Sequence, residues 1–155
     1  MTNQPTRILF ATDQSSLLAY FRAVLRVSGF AAESAILRQR TGFARLHPED
    51  TFLIFVDANR APSQDMLAQA VRSAPHSRFV LSGRNITPQM LLTAIESGLH
   101  GVLAMGLPVE EAAQALLRIW DGERQFRFDC GPVRPAAPPA ECDDFDSAWM
   151  FGLSA

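Results

Sequence analysis

The sequence predicts a doubly wound α/β domain around a five-stranded parallel sheet. Short apolar runs alternate with helical patterns from residue 7 to about 128 of the 155. The runs are continuously apolar, as in strands covered by helices on both faces. Their ends carry polar residues, at the edge where sheets of this kind bind ligands.

The first strand is RILFAT (7–12). In the helix that follows, Leu17, Leu18, Phe21, Val24, Leu25 and Ser28 recur at spacings of three and four. Asp13 or Ser15 is placed to cap its start, and Gly29 to stop it. FAAESAI (30–36) is a weak second strand, and TGFARLH (41–47) at most a short helix before Pro48. TFLIFVD (51–57) is the third strand and delivers Asp57 to its own end. Ser63 caps a helix with Met66, Leu67, Ala70 and Val71 on one face, stopped by Pro75. RFVLS (78–82) is the fourth strand. Thr87 and Pro88 open a helix closed by Gly98. GVLAM (101–105) is the fifth strand. Glu110 and Glu111 suit the positive end of a last helix that Gly122 ends.

Apolar residues make up 48% of the chain and the net charge is −2. That balance gives no electrostatic footprint for a phosphate backbone, so direct nucleic-acid binding is not expected. No apolar stretch approaches a membrane span, which takes about 20 residues. The opening MTNQPTR lacks the features of a signal peptide, and a cytoplasmic protein is expected. Cys130 and Cys142 have no partners for a zinc set. A disulfide between them is geometrically open, though a cytosolic setting favours free thiols. His47, His76 and His100 show no ligand spacing and are expected in solvated loops. ATDQSS (11–16) contains no glycine with which to fold around an anion, against a flavodoxin-like cofactor loop.

The strand ends, taken in order, resemble the receiver domain of bacterial two-component response regulators. SGLHGVLAMGLPVEEAAQALLRIWDGE (97–123) is similar to the subtype that precedes NarL/LuxR-type helix-turn-helix output domains. The resemblance implies a flavodoxin/CheY-like strand order 2-1-3-4-5. It places Asp57 at the phosphoacceptor position and Ser82 at that of the hydroxyl that bonds the phosphoryl oxygens. Two positions depart sharply. Thr12 stands for one of two metal-holding acids, and Met105 for the lysine that pairs with the new charge. Val102 also replaces an aromatic switch residue. Magnesium would be left with Asp13, Asp57 and the Asn59 carbonyl, so its binding is expected to be weak or absent, and no other cofactor is implied. Phosphorylation adds nearly two negative charges, and a thioether gives them nothing back. Arg60 and Arg84, just beyond two strand ends, are candidates to pair permanently with Asp57.

Three segments are therefore expected: a receiver-like domain (1–128), a proline-rich linker (129–140) and an acidic-aromatic tail (141–155). The 27 residues after Phe128 are too short and too acidic for a DNA-reading module. In the tail, Phe145, Trp149 and Leu153 are four apart and would line one face of a short helix; with Met150 and Phe151 they are candidate interaction residues. The expected function is that of an atypical, pseudo-receiver regulator, not an enzyme. It would act by binding a protein partner or a second copy, without normal phosphorylation. The alternative is a phosphorylatable single-domain regulator in a phosphorelay, accepting a phosphoryl group on Asp57.

Overall fold

In the computed structural model, which describes residues 4–37 and 39–127, the apolar runs become the middle of one parallel sheet. The strands are β1 (Arg7–Ala11), β2 (Glu33–Ile36), β3 (Phe52–Asp57), β4 (Arg78–Gly83), β5 (Gly101–Ala104) and β6 (Gln125–Arg127), in the order 2-1-3-4-5-6. The helices are α1 (Ser15–Ser28), α2 (Gln39–Ala44), α3 (Gln64–Ser73), α4 (Pro88–Ser97) and α5 (Val109–Trp120). The doubly wound class and the order of the first five strands agree with the sequence. The five-strand count does not. β6 pairs in parallel with β5 and adds a sixth strand.

Alternate residues of each central strand feed opposite cores, because side chains point to opposite faces with period two. Ile8, Phe10, Leu53, Phe55, Val80 and Leu103 pack under α1 and α5. There Phe10 stacks on Phe55 at 5.1 Å, and Phe21 of α1 lies on Phe55 at 4.6 Å. Leu9, Ile54, Val56, Phe79, Leu81 and Val102 pack on the other face with Leu67 of α3 and Ala94 of α4. Caps of α3 and α4 form as expected: Ser63 Oγ accepts the Met66 amide and Thr87 Oγ1 that of Met90. The start of α1 is different. Its cap is Gln14, with no side-chain cap bond. Ser15 is already helical and the Asp13 carboxylate is drawn away to Arg60.

Gly101 explains how β6 fits. A Cβ there would collide with Ile119 and sit 2.8 Å from the Gln125 carbonyl oxygen. Only glycine lets α5 and β6 approach β5 together. β6 was hidden in the sequence because it has three residues, one of them apolar, and no alternation to read.

His100 is also a correction. It is partly buried at the start of β5, not solvated in a loop. Its backbone amide donates to the Phe79 carbonyl (2.9 Å), and its Nδ1 accepts the Phe79 amide (3.0 Å). Burial, with Arg78 and Arg124 nearby, lowers its pKa from 6.5 to about 4. His47 and His76 are exposed.

Candidate functional site

β3 is apolar and buried along its length, so the acid at its last position is buried with it: Asp57 is 1% exposed. Such a carboxylate needs hydrogen bonds. Two neighbours supply them. Thr12, just beyond β1, donates its hydroxyl to Asp57 Oδ2 at 2.7 Å. The Asn59 amide, in the 3-10 turn Ala58–Arg60, donates to Oδ1 at 3.0 Å. Thr12 Oγ1 in turn accepts the Gln14 amide at 3.1 Å. Thr12 is therefore more than a lost metal ligand, since its hydroxyl closes over the carboxylate.

Ser82 lies in register beside Asp57 on β4 and is fully buried. Its hydroxyl makes a long bond to the Val56 carbonyl (3.4 Å) and none to Asp57. Met105 follows β5, half-buried, with its backbone amide on the Gly83 carbonyl (2.8 Å) and its side chain against the α1/α5 core. A thioether in that position prefers the core, where a lysine would have to keep its ammonium in water. Val102 is buried in the opposite core.

The expected pairing of Arg60 or Arg84 with Asp57 does not occur. Arg60 reaches Asp13 at 2.5 Å, and Arg84 donates to Ser16 Oγ at 3.4 Å. Asp13 and Arg60 are both exposed and meet in water, while Asp57 is already satisfied by neutral donors. A guanidinium would have to be desolvated to reach it.

The same contacts test the magnesium set. Each Asp57 oxygen accepts one hydrogen bond, and Asp13 Oδ1 is ion-paired with Arg60. Among the described residues no group of three or more histidine, cysteine or acidic side chains is placed to hold a metal. As these groups are arranged, magnesium would have to compete with Arg60 for Asp13 and with Thr12 for Asp57. Phe145, Trp149, Met150, Phe151 and Leu153, with Cys130 and Cys142, lie outside the described residues.

Strand order 2-1-3-4-5, with the acid at the end of β3 and the hydroxyl in register on β4, decides the fold. The chain has the CheY-like receiver fold. It is similar to the isolated receiver domain of RcsB from Salmonella enterica serovar Typhimurium, with 14% identity, a TM-score of 0.63, and 79% of this chain and 92% of that one covered. It is also similar to a LuxR family DNA-binding response regulator from Silicibacter pomeroyi, at 22% identity and TM-score 0.59, covering 81% and 99% of the two chains. A CheY-like protein (tadZ) from Pseudomonas aeruginosa matches at 14% identity and TM-score 0.58, covering 76% and 99%. No protein-family model and no curated protein matches the chain. At these identities the likeness is one of fold. Among the described residues no helix is long and apolar enough to cross a membrane.

Proposed function

We propose that this chain is an atypical receiver that regulates by protein contact and does not undergo ordinary aspartyl phosphorylation. The reading rests above all on the closed carboxylate: Asp57 is buried, with both oxygens engaged by Thr12 and Asn59. A phosphoryl donor would have to approach a buried carboxylate whose Oδ2 already accepts the Thr12 hydroxyl. The product would then find no ammonium at the end of β5, where the Met105 side chain packs into the core. Magnesium, which would otherwise neutralise the transferring group, would bind weakly. On this reading the protein is a binding module of two-component type, not an enzyme, and the tail residues Phe145, Trp149, Met150, Phe151 and Leu153 supply its contacts. The alternative, a phosphorylatable regulator, draws on the register of Ser82 beside Asp57.

Intact-mass spectrometry after incubation with acetyl phosphate and magnesium separates the two. The expected result is an unmodified chain, and no fluorine NMR signal of a bound beryllofluoride. The double variant Thr12→Asp/Met105→Lys, which restores the missing acid and cation, is expected to acquire both. Stoichiometric modification of the wild type at Asp57 would overturn the proposal.

A further inference from the structure

Between β1, β2 and α2 lies an open cleft of about 300 Å³. Its floor is apolar, formed by Leu37, Leu46 and Phe52, and Ile36 at its rim is 51% exposed. Two arginines line it, Arg7 at the start of β1 and Arg45 just after α2. Neither has an ion-pair partner among the described residues. Glu33 is opposite Arg7 in register but does not pair with it. An apolar floor flanked by unpaired guanidinium groups fits an acidic segment with large apolar side chains.

The chain carries such a segment. Residues 141–155 hold Glu141, Asp143, Asp144 and Asp146, then Trp149, Met150, Phe151 and Leu153, and no basic residue. We infer that this cleft receives the acidic-aromatic segment 141–155 of a second copy of the chain. The inference rests on the proposed role of the tail in contacts and names its docking site. The acids would meet Arg7 and Arg45, charge-assisted pairs being the stronger hydrogen bonds. An aromatic side chain would fill the floor, as interface anchors do.

Reach favours a second copy over the same one, because the spacer would have to be held fully taut to serve its own cleft. The described chain leaves from β6, at the sheet edge opposite β2. Five strand spacings separate those edges, about 24 Å. Passing around the sheet adds a helix layer about 10 Å thick on the way out and again on the way back. The 13 residues from 128 to 140 are proline-rich, and such a spacer extends about 3.1 Å per residue, or about 40 Å. Its whole length would be spent before the first acid arrived. Between two copies this limit disappears, and a reciprocal exchange closes as a two-fold dimer.

Sedimentation velocity on full-length chains tests the assignment. The wild type is expected to self-associate at micromolar concentration. Arg7→Glu/Arg45→Glu and Asp143→Arg/Asp144→Arg, each alone, are expected to weaken association about tenfold or more, since like charges then meet. An equimolar mixture of the two should associate again, because each cleft then faces a tail of opposite charge. Circular dichroism confirms folding, and the single variant Arg45→Glu, at an exposed position, serves if the double variant does not fold. A monomeric wild type, an Arg-to-Glu variant that associates like wild type, or a mixture that stays apart would overturn the inference. Trp149→Ala tells the two levels apart. If it associates like wild type, the tail reading itself falls. If it is monomeric while Arg7→Glu/Arg45→Glu still associates, the tail reading stands and only the cleft is wrong.

Discussion

Thr12→Val keeps the shape of the side chain and removes the hydroxyl that closes over Asp57. Thr12 is 5% exposed and Asp57 1%, so water cannot readily replace the 2.7 Å bond. A hydrogen bond to a charged group contributes about 1.5–3 kcal/mol. The Gln14 amide also loses its acceptor, but it lies at an exposed residue where water can substitute, which adds little. The expected loss is about 2 kcal/mol, which for a domain of this size lowers Tm by about 6–10 °C. Urea unfolding gives the free energy directly. A double-mutant cycle with Asp57→Ala isolates the pair, whatever the sign of Asp57→Ala alone. A coupling of about 1–2 kcal/mol is expected. Effects that add within about 0.5 kcal/mol would refute the claim that the hydroxyl holds the carboxylate.

Two further outcomes concern the fold. Gly101→Ala forces Ile119 and the Gln125 carbonyl away from β5, and a destabilisation of about 1–3 kcal/mol is expected in urea unfolding; a neutral result would mean that α5 and β6 do not press on β5 together. His100 makes stability depend on pH. Its folded pKa is about 4 against 6.5 in the unfolded chain, so between those values the unfolded chain binds the extra proton. Stability is full above about pH 6.5 and falls as pH drops toward 4. The loss is about 1–3 kcal/mol, the upper end set by 1.36 kcal/mol per unit and the lower by solvent screening. Urea midpoints from pH 7 to pH 4, compared with His100→Gln, measure it. The same acid slope in both proteins would sink the assignment.

Which parts of this molecule were legible in the sequence follows from how strongly each is determined. A buried strand such as Phe52–Asp57 announces itself, because every position must be apolar until the chain reaches the sheet edge. The helices of α3 and α4 were readable from spacing and from Ser63 and Thr87. Asp57 and Ser82 were assigned to neighbouring strand ends by the resemblance to receiver domains, and the structure sets them in register. The partners of Arg60 and Arg84 could not. Long exposed side chains have many rotamers of similar energy, and no pattern records which acid or hydroxyl lies within reach. Thr12 was visible as a missing acid, but its role as a donor depends on an ångström-scale approach between two strand ends. His100 was misread because what packs against it comes from β4, distant in sequence, where Phe79 stacks on its ring and the Phe79 amide donates to its Nδ1.

The sixth strand has a geometric consequence for signalling. α5 runs back against the strands, so a chain ending at Trp120 would leave from the end of the sheet remote from Asp57. β6 turns parallel to β5, with Arg127 level with Leu103, and Arg127 is tied to Glu111 of α5 at 2.8 Å. The exit is thereby carried up to the same rim as Asp57, three strand spacings along, about 14 Å. Whatever residues 128 onward engage, they set out from the rim that bears the closed carboxylate. A change at Asp57 and a pull on the tail would therefore act on neighbouring loops of one sheet edge, with no need for a signal to cross the core.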